Sequence, residues 1–133
     1  SQPMFNWPVR VYWEDTDAGG IVFYANYLKF FERARTEWLR QCGLNQQHLR
    51  ETTGGMFVVS HTAIDYLKPA RLDDELVVST DLQQLGRASL HLRQTAMRGN
   101  TVLCKGLVIV GWVDSRSMRP ARIPLPVLDA LKA

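Results

Sequence analysis

The sequence is poor in cysteine and has no long apolar run. Its only cysteines, Cys42 and Cys104, form no CxxC pair, so we expect both to be reduced and buried as small hydrophobic residues. The longest apolar run, Gly106 to Val113, is too short to span a bilayer. The first residues, Ser1 to Pro8, lack the apolar core of a signal peptide. We therefore expect a cytoplasmic protein without a transmembrane segment.

The chain also lacks a strong charge and clustered metal ligands. Its formal net charge of +3 is too small to predict nucleic-acid binding, but it suits a small anionic ligand. The histidines are scattered and none pairs with a cysteine, so no metal site is predicted from His48, His61 and His91. No phosphate-binding loop, dinucleotide fingerprint or GxSxG motif is present.

The spacing of the apolar residues predicts one strand, one long helix and then four more strands. Val9 to Trp13 alternates with a period of two, which is typical of a strand. A helix is predicted over about Ala25 to Cys42, because apolar residues recur there every three or four positions on one face. This apolar stripe is Tyr24, Tyr27, Leu28, Phe31, Ala34, Trp38 and Leu39. The other predicted strands are Met56–Tyr66, Glu75–Leu85, Ala88–Met97 and Val102–Val113, and the short helices are Asn45–Glu51 and Val127–Ala133. Gly43 is the predicted stop of the long helix, and Asn45 is the predicted cap of the short helix that follows. We therefore expect a single α+β domain over residues 1–133, with the helix covered by a five-stranded antiparallel sheet and the last strand in its centre.

An acidic stretch separates the first strand from the helix. Glu14, Asp15 and Asp17 precede a Gly-Gly pair. A calcium loop is excluded, because Asn26 stands at the twelfth position from Asp15, where a bidentate glutamate is needed. The N–H groups that open a helix can stabilise an oxyanion, and a carboxylate beside them can attack a carbonyl or activate water. The residues alone leave two interpretations open: a site for acyl transfer to water, or a structural role of the acids in a turn or a helix cap.

Two segments carry a resemblance to a known family. The first is EDTDAGGIVFYANYL, from Glu14 to Leu28, and the second is FERARTE, from Phe31 to Glu37. Both resemble the signature of hotdog-fold acyl-CoA thioesterases of the 4-hydroxybenzoyl-CoA type, and the chain is most similar to the YbgC-like branch, which is associated with the Tol-Pal system. The similarity continues through Tyr66–Leu76 to the final strand. It implies a hotdog fold, in which a sheet wraps a long central helix, and hydrolysis of an acyl-CoA thioester to a free acid and CoA.

The resemblance also implies the catalytic groups. In this family the second aspartate of an Asp-x-Asp motif is catalytic, and it corresponds to Asp17, as nucleophile or general base. A backbone N–H at the start of the long helix binds the thioester oxygen, and it corresponds to that of Tyr24. Close relatives often carry a histidine there, so only the backbone role is transferred. A second hotdog lineage has its carboxylate on the long helix, which makes Glu32 the alternative to Asp17.

Substrate contacts and partners follow from the same resemblance. The CoA nucleotide lies against basic side chains, for which Arg87 and Arg71 are candidates, with Ser89 close to Arg87. His61 is a candidate either for the acyl pocket or for a satisfied core position. CoA is part of the substrate, no cofactor or metal is implied, and acyl carrier protein is an alternative carrier. Chains of this family pair edge to edge into dimers and often form tetramers.

Two other functions stay open. A non-catalytic protein of the same fold, which binds an acyl carrier or acts as a scaffold, is the main alternative. A 3-hydroxyacyl dehydratase would need a histidine beside an acid, and no histidine lies near Asp17 in the sequence.

One residue breaks the pattern of the long helix. Arg35 falls within its apolar stripe, and a charge there needs a partner. We predict an ion pair with Glu14 or Asp15. The alternative is that the side chain of Arg35 runs past the aromatic residues to water.

Overall fold

The structure is a computed structural model that describes residues 4–133. Residues 1–3, which begin the predicted domain and the stretch Ser1–Pro8, lie outside the described part. The regular elements are β1 (Phe5–Arg10), α1 (Tyr27–Gln41), α2 (Gln46–Thr53), β2 (Gly55–Tyr66), β3 (Glu75–Leu85), β4 (Ser89–Arg98), β5 (Thr101–Asp114) and α3 (Leu125–Lys132). Short 3-10 turns occupy Trp13–Asp15 and Tyr24–Asn26. These elements confirm the predicted order and type, and β1 differs from the prediction in its bounds.

The five strands form one antiparallel sheet in the order β1-β3-β4-β5-β2. The predicted sheet is confirmed, but β4 is its middle strand, so the prediction that the last strand is central is wrong. β5 lies between β4 and the edge strand β2. Its outward-facing residues Leu107 and Ile109 are apolar yet only half-buried, and this is why the sequence of β5 resembles that of a fully covered strand.

Helix α1 packs across the inner face of the sheet. Its buried side chains are Tyr27, Phe30, Phe31, Ala34, Trp38 and Leu39. Two residues predicted for this stripe, Tyr24 and Leu28, are instead 61% and 45% exposed. Tyr24 precedes α1 in a 3-10 turn, whose three residues per turn shift it out of phase with the helix, and Leu28 lies at the margin of the buried face.

The first strand ends earlier than predicted. β1 stops at Arg10, and Trp13, predicted to lie in a strand, is 80% exposed in a 3-10 turn. The cause is Asp15, whose Oδ2 accepts the N–H of Tyr12 at 2.8 Å and closes the turn. Val11, just before the turn, is fully buried, as its apolar position in the pattern predicts.

Local signals set the junction between the first two helices. Gly43 has a φ of +84°, and the N–H of Leu44 donates to the Leu39 carbonyl at 2.9 Å, which closes the end of α1 as a glycine-based cap. Asn45 then caps α2, because its Oδ1 accepts the N–H of His48 at 3.0 Å. Both the predicted stop and the predicted cap are confirmed.

The ring of Phe31 on helix α1 packs directly against Gly106 of β5. A Cβ at this position would lie 2.8 Å from the ring of Phe31, which is fully buried. No other residue type fits here unless the helix or the ring moves.

We expect Gly106→Ala to destabilise the protein by about 1–3 kcal/mol, because the new methyl group overpacks the contact between helix and sheet. The free energy of unfolding is to be measured by urea denaturation.

The matched control is Gly111→Ala on the outer face of the same strand, where the nearest atoms to a Cβ are 4.0 Å away. This variant should be neutral or slightly more stable. Equal losses for both variants would contradict the interpretation.

Candidate functional site

Residues 16–22 fold into a small hairpin that carries Asp17. Thr16 and Val22 form an antiparallel bridge at its base, and the N–H of Asp17 donates to the Ile21 carbonyl at 2.9 Å. The N–H of Gly20 donates to the Asp17 carbonyl at 3.0 Å and closes the tip. Gly20 has a φ of +78°, which glycine adopts without strain. The Gly-Gly pair therefore shapes the turn in which Asp17 is held.

The carboxylate of Asp17 is oriented by the backbone of its own hairpin. Its Oδ1 accepts the N–H of Gly19 at 2.8 Å and that of Ile21 at 3.4 Å. A Cβ on Gly19 would lie 3.2 Å from this oxygen, so the glycine leaves room for the carboxylate. The Asp17 side chain is exposed and takes part in none of the ion pairs within residues 4–133. Its orientation is thus fixed on one side while the other oxygen stays accessible.

Asp15, two residues earlier, is structural. It is 3% exposed, and its Oδ1 accepts the side-chain amide of Asn26 at 2.8 Å while its Oδ2 accepts the N–H of Tyr12. Its carbonyl also accepts the N–H of Phe23 at 3.2 Å. One buried carboxylate therefore ties the end of β1 to the start of the helical segment. The acidic-turn interpretation is correct for Asp15 and leaves Asp17 available for chemistry.

Tyr24 is the first residue of the 3-10 turn that leads into α1. Because a helical segment cannot satisfy its first N–H groups, the N–H of Tyr24 has no acceptor within it. The Tyr24 ring is exposed and lies 4.8 Å from the ring of Phe23 and 5.7 Å from that of Tyr66. The hairpin that holds Asp17 thus leads directly to a backbone donor surrounded by aromatic side chains.

The loop before β3 supports this hairpin and brings Arg71 beside it. The N–H of Val22 donates to the Ala70 carbonyl at 2.8 Å, and the N–H of Leu72 donates to the Gly20 carbonyl at 3.2 Å. Arg71 forms an antiparallel bridge with Ile21, and its side chain is exposed. Of the predicted CoA-contact residues, Arg71 therefore lies next to the Asp17 hairpin of its own chain.

An ion pair anchors that loop to the end of β4. Asp74 Oδ2 accepts Arg98 Nη1 at 2.8 Å and the N–H of Arg71 at 2.9 Å. Partial burial raises the pKa of Asp74, but these hydrogen bonds and the charge of Arg98 outweigh burial, so the net pKa lies below its usual value of 3.8. The charged form of Asp74 is therefore the one that holds the loop.

We expect Asp74→Asn to lower the free energy of unfolding by about 1 kcal/mol at neutral pH. The pKa of Asp74 is lower in the folded protein than in the unfolded chain, where it is near 3.8. The carboxylate therefore stabilises the fold fully at a pH above 3.8, and this contribution disappears as the pH falls through the pKa of the folded state. The difference between wild type and variant should therefore shrink below about pH 4. Urea denaturation at pH 7, 5, 4 and 3 measures it.

The neighbouring carboxylate provides the control. Asp73 is exposed, and its φ of +70° is one that asparagine tolerates well. Asp73→Asn should be nearly neutral at every pH. A constant loss for Asp74→Asn from pH 7 to pH 3 would rule out the proposed role of the ion pair.

The other basic candidate lies at the opposite end of the sheet. Arg87 is exposed in the turn between β3 and β4, where the N–H of Gly86 donates to the Ser89 carbonyl at 2.8 Å. The eleven residues of β3 separate this turn from Arg71, which is roughly 30 Å at about 3.3 Å per residue. Within one chain, Arg87 and Ser89 are therefore far from the Asp17 hairpin.

Arg122, which was not predicted as a site residue, is a basic neighbour of Arg87. The N–H of Ile123 donates to the Arg87 carbonyl at 2.8 Å, so the segment after β5 runs beside the Arg87 turn. Arg122 is exposed and, like Arg87, takes part in none of the ion pairs of the described chain. The signal was present as Arg116, Arg119 and Arg122, spaced by three after the last strand.

The predicted ion pair of Arg35 is wrong. Arg35 Nη1 instead donates to Oε1 of Gln94 on β4 at 3.0 Å, and the side chain is half-buried. Asp15 cannot be the partner, because its carboxylate is occupied by Tyr12 and Asn26. The alternative, a side chain that runs past the aromatic residues to water, describes it in part: Gln94 holds Nη1, and the guanidinium nitrogens without a partner are not fully buried.

The remaining candidates lie on other elements. Glu32 is exposed on α1, eight residues beyond Tyr24 and thus roughly 12 Å along the helix. His61 is exposed on the edge strand β2, opposite Ile109, so the expectation of a core histidine is wrong. Cys104 is buried as expected, whereas Cys42 is only half-buried.

Residues 4–133 contain no group of three or more His, Cys, Asp and Glu side chains arranged to hold a metal ion. In the same range, no helix is long and apolar enough to cross a bilayer.

Comparison with known proteins identifies the family. Residues 19–105, which include the Asp17 hairpin and helix α1, match the sequence profile described as the thioesterase superfamily. The chain belongs to this superfamily. A relative from Haemophilus influenzae named acyl-CoA thioesterase YbgC is 48% identical over 126 residues, which cover 95% of this chain and 93% of the relative. The Escherichia coli O6:H1 relative, named acyl-CoA thioester hydrolase YbgC, is 42% identical over 97% of this chain and 96% of its own length. These two relatives confirm that the chain resembles the YbgC-like branch of the superfamily.

A solved structure supports the fold. That of a probable thioesterase from Bartonella henselae superposes with a TM-score of 0.86 at 33% identity, covering 92% of this chain and 100% of that one. The long helix wrapped by a five-stranded antiparallel sheet is thus the hotdog fold of the superfamily, as the sequence predicts.

Proposed function

We propose that this chain is an acyl-CoA thioesterase, one domain over residues 1–133, that hydrolyses a thioester to a free acid and CoA. The observation that carries the proposal is the Asp17 hairpin leading to the helix start, in a chain 48% identical to a relative named as an acyl-CoA thioesterase. The carboxylate supplies a base or nucleophile, and the Tyr24 N–H supplies a donor for the oxyanion.

In the proposed reaction water adds to the thioester carbonyl and the C–S bond breaks. Asp17 takes a proton from the attacking water or, as nucleophile, forms an anhydride that water then hydrolyses. The negative charge that develops on the carbonyl oxygen is stabilised by the Tyr24 N–H and the partial positive charge of the helix start. The thiolate of CoA leaves and is protonated. CoA is part of the substrate, and no further cofactor is invoked.

We expect Asp17→Asn to lower kcat at least about 100-fold, because the amide can neither attack nor accept a proton. Its thermal stability should stay close to wild type, since Asn can still accept the N–H of Gly19. Glu32→Gln should lose far less activity. A steady-state assay with a panel of short, long, branched and aromatic acyl-CoAs measures both.

Asp15→Asn separates structure from chemistry at the neighbouring acid. It should lower the free energy of unfolding by about 1–3 kcal/mol, because the new side-chain NH2 group faces another donor, either the Tyr12 N–H or the Asn26 amide.

Ordinary turnover in Asp17→Asn, or abolition of turnover by Glu32→Gln alone, would contradict the assignment of the catalytic carboxylate to Asp17.

We further propose that the site is shared by two copies of the chain paired along β2. This strand is a free edge of the sheet within the described residues, twelve residues long, and such an edge is a template for pairing. At one end of β2, Tyr66 contacts Tyr24. Near the other end, Val58 pairs with Gly111 of β5, and Gly111 pairs in turn with Ser89 of β4.

Antiparallel pairing of two β2 strands over their full length brings the Tyr66 end of one beside the Gly55 end of the other. The helix start of one copy would then lie three strand spacings, or roughly 14 Å, from Ser89 of the second. This arrangement unites Asp17 and Tyr24 with Arg87 and Ser89, which a single chain keeps far apart. It supports the proposed contact of Arg87 and Arg122 with the CoA phosphates.

Mixing two defective variants tests the shared site. Asp17→Asn lacks the base, and Arg87→Ala/Arg122→Ala should lose about 10- to 100-fold in kcat/KM through weaker phosphate binding. After denaturation and joint refolding at equal amounts, about a quarter of all sites should be intact, and activity should exceed the mean of the separate variants.

Activity equal to that mean would show that each site belongs to one chain. Light scattering on the same samples distinguishes a monomer, a dimer and the tetramer that we propose as a further assembly.

The second candidate function, a scaffold that binds an acyl carrier without turnover, has the same fold in its favour. It is supported if no acyl-CoA is hydrolysed and an acylated carrier protein binds tightly. If the thioester of an acylated carrier protein is hydrolysed in preference to acyl-CoA, the thioesterase proposal stands and the carrier protein replaces CoA in the substrate. The cytoplasm, where acyl-CoA is made, is the location that we propose for the reaction.

A further inference from the structure

A cavity of about 390 Å³ opens between helix α1 and the inner face of the sheet, beside the edge strand β2. This volume lies within the usual range of small-molecule sites. Most of the wall is apolar and includes Trp38, Leu39, Phe57, Val59, Leu92 and Val110. Two charged residues of α1, Glu32 and Arg35, also line it.

The guanidinium of Arg35 is held in position from behind. Its Nη1 donates to Oε1 of Gln94, which is fully buried. The Nε2 of Gln94 donates in turn to the Phe31 carbonyl at 3.0 Å and to Oγ1 of Thr80 at 2.8 Å. Gln94 therefore has its orientation set by the core, and it fixes Arg35 at the cavity wall.

The charge of Arg35 is not neutralised within the described chain. None of the ion pairs of residues 4–133 includes it, and one hydrogen bond uses one of its five N–H donors. Burial lowers the pKa of Arg35, and the negative charge of Glu32 acts in the opposite direction. Within the described residues, every fully buried side-chain nitrogen has a hydrogen-bond partner. The nitrogens of Arg35 that have no partner are therefore not fully buried, and their N–H donors remain accessible. The mostly apolar cavity is thus lined by the positively charged Arg35, whose position is fixed and whose remaining N–H donors can bind a ligand.

We propose that Arg35 selects acyl-CoA substrates whose acyl group ends in a carboxylate. The inference rests on the proposed thioesterase function and on the β2 pairing, which brings the helix start of the second copy next to Phe57 and Val59. An acyl group whose carbonyl is bound there extends into the cavity, where the apolar wall receives its methylene groups. Its distal carboxylate then pairs with Arg35.

The energetics favour such a ligand over a plain alkyl chain. A methyl end would displace water from Arg35 and leave its donors unpaired, whereas a carboxylate replaces that water with charge-assisted hydrogen bonds. Glu32 opposes the anion, but it is exposed and its charge is screened by solvent. Sites that hydrogen-bond a substrate group discriminate strongly against analogues that lack it.

The test compares glutaryl-CoA with pentanoyl-CoA, which share chain length and differ in the terminal carboxylate. Wild type should have a kcat/KM at least about 10-fold higher for glutaryl-CoA, and Arg35→Met should reverse or abolish this ratio. Arg35→Lys, which keeps the charge without the planar fork, should give an intermediate ratio. Glu32→Gln should raise the ratio a few-fold by removing the opposing charge.

The outcomes separate the two proposals. A wild-type preference for pentanoyl-CoA, or a ratio that Arg35→Met leaves unchanged, overturns the role of Arg35 and leaves the thioesterase intact. Absence of turnover with every acyl-CoA overturns both. If Arg35→Met does not fold, by circular dichroism and thermal melting, the wild-type ratio together with Arg35→Lys and Glu32→Gln still decides.

Discussion

The buried carboxylate of Asp15 is the constraint on which the candidate site depends. It accepts the N–H of Tyr12 and the side-chain amide of Asn26, and so joins the end of β1 to the start of the helical segment. Between these two anchors the chain must form a loop of fixed span, and the hairpin with Asp17 is that loop. A carboxylate that is buried and fully hydrogen-bonded stabilises one geometry, because each lost partner would leave a desolvated oxygen.

The sequence was most informative where a local pattern determines the structure. Helix α1, the glycine stop at Gly43, the cap at Asn45 and the succession of strands β2 to β5 along the chain all follow from periodicity and turn chemistry. The end of β1 and the phase of Tyr24 do not, because the Asp15 side chain closes the turn after β1 and a 3-10 turn holds Tyr24. The position of β5 in the sheet depends on strand pairing that no single strand encodes.

Long-range contacts explain why the site was only partly predictable. The pairing of Arg71 with Ile21 joins residues fifty positions apart, and neither carries a signal of the other. The partner of Arg35 is Gln94, a polar residue on the otherwise apolar buried face of β4, and the acceptor is its amide oxygen where the sequence predicts a carboxylate. The neutral amide of Gln94 accepts one hydrogen bond from the guanidinium but, unlike a carboxylate, does not neutralise its charge. The positive charge of Arg35 is therefore available to an anionic ligand.

The distribution of groups over the sheet connects the chemistry to assembly. In a single chain Asp17 and the Tyr24 ring are exposed, and hydrogen bonds to an oxyanion are weak when bulk water competes for the charge. The apolar cavity lies toward the opposite end of β2 from Tyr24, and Arg87 lies in the turn beyond β3. In the proposed pairing, a twofold axis through the middle of β2 would bring these parts together and exclude water from the space between them. The edge strand would then be a part of the active site, because pairing would create the enclosed environment in which the carboxylate and the helix start act on a thioester.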